Sequence, residues 1–144
     1  MPRILLLDTG PLGKLTHPRT GQDAYRKLLS QIASDYEPFV PDVCGYELRR
    51  ELIRADLNSS ERRLDELIAQ FGMVSATPEV WRLAAGLWAR ARKAGRPTAD
   101  RQSLDGDVIL AAEAMAHEAA VLTMDLGDLG SLLGPGYVVD WHGV

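Results

Sequence analysis

The chain has 144 residues, 46% hydrophobic and 25% charged, with a formal net charge of −4. That is ordinary globular usage for one domain, residues 1–144, and it excludes a disordered chain. A single cysteine, Cys44, excludes an intrachain disulfide, and no apolar run approaches the roughly 18 residues of a membrane span.

Pro2–Leu7 reads as a buried strand, ended by the turn signal Asp8-Thr9-Gly10-Pro11. Gln22–Ala33 has helical apolar spacing at Ala24, Leu28, Leu29 and Ile32. Pro38–Pro41 is a short extended piece. Val43–Leu57 reads as a helix with Asp42 as its N-cap, and Cys44 as a core thiol near its start. A second helix restarts at Asn58 and runs to Phe71, with Gly72 as C-cap. Met73–Ser75 is a short strand. Thr77-Pro78 opens a further helix, with an N-cap followed by proline at the first position, and it ends near Gly95. Arg96–Ser103 reads as a polar loop. Asp105 or Asp107 opens an alanine-rich helix that continues through Ala120. Ala120–Thr123 is a strand, Asp125–Leu133 a turn and short helix, and Tyr137–Asp140 a last strand. Strands alternating with helices predict an α/β fold: three layers, α/β/α, around a central, mainly parallel sheet.

Four acids stand apart along the chain, each beside an apolar segment: Asp8, Glu47, Asp107 and Asp125. Asp8 and Asp125 follow strands, and in parallel sheets ligands bind at the carboxyl ends of strands. Glu47 and Asp107 lie on helices expected to pack on those strands. Convergent carboxylates raise one another's pKa, and a cation relieves them. An all-oxygen pocket suits Mg²⁺ or Mn²⁺, and such pockets hydrolyse phosphodiesters. Each acid also has a plain structural reading: Asp8 as a turn residue, Glu47 in a solvated ion-pair face, Asp105 and Asp107 at a helix start, Asp125 and Asp128 as caps or surface acids.

With these segments in order, the chain resembles the PIN-domain ribonucleases, the family that includes VapC-type toxins of bacterial toxin–antitoxin pairs. The matching segments are Leu7-Asp8-Thr9-Gly10-Pro11-Leu12, Val40-Pro41-Asp42-Val43 leading to Tyr46-Glu47-Leu48-Arg49-Arg50-Glu51-Leu52, Asp107-Val108-Ile109-Leu110-Ala111-Ala112-Glu113-Ala114, and Val121-Leu122-Thr123-Met124-Asp125 with Asp128-Leu129 after it. The resemblance implies a PIN-like fold and a Mg²⁺- or Mn²⁺-dependent endoribonuclease. In it a metal-activated water attacks the RNA phosphate, with Asp8, Glu47, Asp107 and Asp125 as the catalytic and metal-binding quartet. Asp105 and Asp128 are the alternative ligands; the spacing to Ala111-Ala112 favours Asp107. Thr9 and Thr123 would bond water or phosphate. The resemblance further implies a homodimer and an antitoxin partner that inserts into the groove.

RNA needs basic surface, and thirteen of the sixteen basic residues are Arg. Arg49, Arg50 and Arg54 form one candidate patch; Arg90, Arg92, Lys93, Arg96 and Arg101 form another. Trp81, Trp88 and Trp141 could stack on bases, but Trp81 and Trp88, at helical spacing, read rather as core or dimer contacts. His17, His117 and His142 have no metal-ligand spacing. A cytoplasmic protein with no membrane partner is expected. Two other functions compete. One is a non-catalytic PIN-like module that binds RNA or a protein. The other is an aspartyl-phosphate enzyme, which usually has a second Asp two residues after the first; Gly10 stands there.

Overall fold

The computed structural model describes residues 1–95 and 101–141, with residues 101–104 and 135 at the level of the backbone. Strand β1 (Arg3–Leu7) is the centre of a five-stranded sheet in the order β3-β2-β1-β4-β5. Its partners are β2 (Tyr36–Pro41), β3 (Met73–Val74), β4 (Ala120–Thr123) and β5 (Val138–Asp140). Every pairing is parallel, with Leu5 beside Pro38 on one side and Ala120 on the other. Leu5, Leu6 and Leu7 are all fully buried, as are Ala120 to Thr123. Successive strand residues point to opposite faces, so both faces of the sheet are covered. The run of apolar residues, rather than an alternation, is the sequence mark of that burial.

Among the described residues the helices are α1 (Thr9–Thr16), α2 (Gly21–Ile32), α3 (Asp42–Arg54), α4 (Asn58–Phe71), α5 (Pro78–Lys93), α6 (Arg101–Ala116) and α7 (Leu126–Leu133). From β1 the chain steps to β2 and β3 in one direction, then returns to β4 and β5 in the other. Right-handed crossovers therefore put α1–α4 on one face and α5–α7 on the opposite one. The packing agrees: α1 lies against α2, α3 and α4, and α6 against α5 and α7. The direction reverses between β1 and β4, which opens a crevice at their carboxyl ends. Across that crevice α3 meets α6.

Most expected elements are present within a residue or two, and the differences have physical causes. The Asp8-Thr9-Gly10-Pro11 turn is instead the start of α1. Asp8 is its N-cap, with the carboxylate accepting from the Thr9 N–H at 2.7 Å. Pro11 falls in the first turn, where a helix has no partner for the missing N–H. Leu12 and Leu15 bury the helix. Helix α3 begins at Asp42 itself, after Pro41, and stops at Arg54 because Asp56 turns with φ 56°. Helix α6 begins at Arg101, so neither Asp105 nor Asp107 opens it; of the expected loop, 96–100 lie outside the described residues. It ends at Ala116, before Ala120, where Glu118 takes φ 51° and the Ala119 N–H reaches back to the Ala114 carbonyl. Helix α5 starts as expected, with Thr77 Oγ1 accepting from the Val80 N–H. Gly72 closes α4 with φ 89°. Cys44 is buried in the core, but Trp81 and Trp88 are 54% and 40% exposed and are not core residues. No helix among the described residues is long and apolar enough to cross a membrane.

Candidate active site

Asp8 stands where β1 ends, and its carboxylate is held on both oxygens. Thr123 Oγ1, fully buried at the end of β4, donates to Oδ2 at 2.8 Å. The Thr9 N–H donates to Oδ1, and the Cys44 thiol approaches Oδ1 at 3.8 Å. Thr123 also receives the Asp125 N–H at 2.9 Å, so one hydroxyl ties β4, Asp8 and the loop after β4 together. Burial pushes the Asp8 pKa up and the Asp125 charge adds to it; the bonds from Thr123, Thr9 and Cys44 oppose that rise. The Thr9 hydroxyl faces the Cys44 thiol.

Glu47 comes from α3 and lies directly on α6 at Gly106. A Cβ at that glycine would fall 2.5 Å from Glu47 Oε1, so the missing side chain is what lets the carboxylate approach. Burial raises the Glu47 pKa first and Asp8 second, while Arg50 lowers it. Asp107, one residue further along α6, is the focus of the cluster. Its pKa is pushed up to about 7, first by burial and then by the charges of Asp8, Asp128, Asp125 and Glu47. Asp125 caps α7, its Oδ1 3.5 Å from the Asp128 N–H, and is exposed to solvent. Asp128 is half-buried in the first turn of α7.

Asp8, Glu47, Asp125 and Asp128 thus all bear on Asp107 at the crevice, although the five acids come from five different elements or junctions. Asp105 is not among the groups that act on Asp107, although it borders the Glu47 cavity. It is exposed, and it borders a cleft of about 420 Å³ with Trp81, Ala84, Trp88, Val108 and Ile109 on its far side. Among the described residues, no three His, Cys, Asp or Glu side chains stand close enough, as placed, to enclose an ion.

The basic residues divide. Arg50 stacks over the Tyr46 ring at 5.2 Å and lines a cavity of about 460 Å³ with Glu47, Glu51 and Asp105. Arg49 instead pairs with Glu61 at 3.1 Å and with Asp65, both on α4, and Arg54 pairs with Glu51 at 2.8 Å. Arg92 covers the Trp88 ring near the end of α5, where Arg90 and Lys93 are exposed. Arg96, the Arg101 side chain and His142 lie outside the described residues.

Two further acids escaped the sequence reading of the site. Asp42 was expected only as a cap. Its Oδ1 does accept from the Val43 N–H at 2.8 Å, but Oδ2 also accepts from the Ala76 N–H at 2.8 Å, joining α3 to the segment after β3. Glu113 is fully buried on α6, six residues beyond Asp107. The available signal was a lone acid within the apolar run Val108–Ala116.

A fully parallel, three-layer α/β/α sheet with carboxylates gathered at its switch point defines the class of this protein. Residues 5–127 match the family model of the PIN domain, and the chain belongs to that family. Solved structures share the fold. A chain of VapBC2 from Rickettsia felis, bound to a DNA fragment from their promoter, aligns with a TM-score of 0.77 at 14% identity, over 96% of this chain and 98% of that one. FitAcB from Neisseria gonorrhoeae aligns with a TM-score of 0.70 at 20% identity, over 96% and 97%. VapBC-1 from nontypeable Haemophilus influenzae aligns with a TM-score of 0.71 at 19% identity, over 96% and 98%. No curated protein sequence matches the chain.

Proposed function

We propose that this chain is a metal-dependent endoribonuclease, acting as the toxin of a type II toxin–antitoxin pair or as a close relative of one. The observation that supports this most is the convergence of Asp8, Glu47, Asp125 and Asp128 on Asp107 at the switch point of a PIN fold. The donor set fits Mg²⁺ or Mn²⁺, since every side chain that bears on Asp107 is a hard-oxygen carboxylate. Bound there, such an ion would supply Lewis-acid charge and an activated water for phosphodiester hydrolysis.

The residues of the chain have distinct parts in this reading. Asp8, Glu47, Asp107 and Asp125 would hold the ion, with Asp128 as the alternative ligand beside Asp125. Thr123 fixes the Asp8 carboxylate by its 2.8 Å bond and so holds its orientation at the crevice. Asp107, pushed up to about 7 by burial and the neighbouring acids, would have to release its proton to serve as a ligand. Arg50, stacked on Tyr46 and lining the Glu47 cavity, would meet the RNA phosphates. Arg49 and Arg54 are engaged in ion pairs and contribute to the field rather than to direct contact. The fold shared with a toxin–antitoxin complex from Klebsiella pneumoniae supports an antitoxin partner; in this reading that partner would cover the groove, and the chain would pair with a second copy of itself. The setting is the cytoplasm.

The test is cleavage of a mixed structured and single-stranded RNA pool with Mg²⁺, Mn²⁺ or EDTA, wild type beside Asp8→Asn. Cutting that needs both the metal and Asp8 is the expected result. Equal cutting by Asp8→Asn would overturn the reading. A folded wild type that binds RNA and never cuts it with either ion would favour a non-catalytic RNA- or protein-binding module.

A further inference from the structure

Glu113 has no part in the chemistry above, yet it is the most enclosed acid among the described residues. It lies on α6 with 0% exposure, and neither carboxylate oxygen meets a hydrogen-bond donor. An ionised carboxylate in that position would lack both solvent and partner, a costly state for a buried charge. Beside it is Asp42, at the start of α3. The Asp42 carboxylate is tied by the Val43 and Ala76 N–H groups, which leaves an acceptor lone pair on each oxygen. A protonated Glu113 turns the arrangement from two repelling acids into a donor and an acceptor.

We propose that Glu113 is held as the neutral acid, donates an O–H hydrogen bond to the Asp42 carboxylate, and by this bond sets the seat of α6 on α3. The two helices bring Asp107 and Glu47 to the crevice, five residues from Asp42 in the case of Glu47 and six from Glu113 in the case of Asp107. Glu113 is therefore a positioning residue for the acidic site. Ionising it would place two negative charges between the helices and push apart the elements that bear two of the proposed ligands. Burial first, and then Asp42, raises the Glu113 pKa to about 9, in keeping with this arrangement. Asp42 and Cys44, both on α3, are the ionisable groups that interact with it; from α5, α7 and β4, no described ionisable group is among those acting on it.

The neutral state of Glu113 is independent of the nuclease reading; its effect on the metal site rests on that reading. Metal-free wild type, Glu113→Gln and Glu113→Met are melted in EDTA at pH 5.5, 7 and 8.5. The three are then titrated with Mn²⁺ at pH 7.5, and wild type and Glu113→Gln with Mg²⁺ at pH 7.5 and 9.5. The raised pKa fixes the sign. Its stabilisation is complete below the unfolded value and is lost as pH rises through about 9. Glu113→Gln keeps a neutral donor and should melt close to wild type at pH 5.5. At pH 8.5 it should melt above wild type by about 4 °C or more. Glu113→Met, which removes the donor, should bind Mn²⁺ about tenfold more weakly than Glu113→Gln, the scale of an outer-shell loss. Wild type should lose Mg²⁺ affinity relative to Glu113→Gln between pH 7.5 and 9.5, a comparison that stands even where the Met chain does not fold. A melting gap that stays constant from pH 5.5 to 8.5 would overturn the neutral acid. Equal metal affinities in both comparisons would overturn the positioning role. Absence of metal binding by wild type itself would instead count against the nuclease reading, with the melting gap still deciding the state of Glu113.

Discussion

The acids at the carboxyl end of the sheet and the acids between α3 and α6 face one problem in different surroundings. At the crevice, Asp107 is half-buried and feels four other carboxylates, and its pKa rises to about 7. Between the helices, Glu113 is sealed from water beside one carboxylate, and its pKa rises to about 9. The crevice is open, so a cation can enter and relieve the repulsion. The interhelical pair is closed, so only a proton can. Desolvation and like charge act on both; access to solvent decides which positive species answers them.

The sharpest way to break this contrast is to remove charge from the open cluster. Asp8→Asn should lower RNA cleavage by at least about a hundredfold, since even partners of metal ligands account for 10- to 100-fold. Its melting temperature should not fall, because an amide oxygen still accepts from Thr9 or Thr123. Comparing initial cleavage rates with thermal melts checks both statements together.

Gly106→Ala attacks the cluster by space rather than charge. The new Cβ would meet Glu47 Oε1, a movable side-chain end, so the helix should survive while Glu47 is displaced. Mn²⁺ affinity should drop about tenfold, on the scale of lost metal-site contacts, as measured by calorimetry. Unchanged affinity would remove Glu47 from the ligand set.

A third prediction concerns pH. In metal-free protein, Asp107 is protonated in the fold where the unfolded chain has lost the proton. Its stabilisation is present below the ordinary carboxylate value and is lost as pH rises through about 7. Melting temperature should therefore fall from pH 5 to pH 8 in EDTA, and Asp107→Asn should flatten that fall. Saturating Mn²⁺ should also flatten it, by favouring the ionised form. Thr77→Ala is the smallest change and the control. It removes the side-chain cap on α5 and none of the acids, and should cost about 1 kcal/mol of stability by chemical denaturation with no change in metal affinity.

The same contrast explains what the sequence could and could not disclose. Buried strands are local statements: Leu5-Leu6-Leu7 and Ala120-Val121-Leu122 are continuous apolar runs, and both strands were legible. So were Thr77-Pro78 and Gly72, whose roles depend on backbone chemistry within a few residues. The start of α1 was misread because Asp-Thr-Gly-Pro serves a turn and a capped helix equally well; the deciding fact, burial of Leu12 and Leu15, is tertiary. Asp8 and Asp125 could be picked out by their place after strands. Spacing to Ala111-Ala112 favoured Asp107 over Asp105, but that Asp107 is half-buried among the other acids while Asp105 is exposed is a tertiary fact that spacing does not carry. The link between Asp42 and Glu113 joins residues more than seventy positions apart, and no local pattern announces it. Pairing of Arg49 with Glu61 and Asp65 was hidden for the same reason: helices α3 and α4 had to be packed before their charges could meet.

The central claim is that the carboxylates at the switch point take a divalent cation, with Asp107 in the middle of them. Calorimetric titration of Mn²⁺ into wild type and Asp107→Asn at pH 5.5 and 7.5 tests it most directly. The account predicts binding by wild type at pH 7.5 with release of protons, weaker binding at pH 5.5, and loss of most affinity in Asp107→Asn. No binding by wild type at pH 7.5, or equal binding by Asp107→Asn, would contradict it.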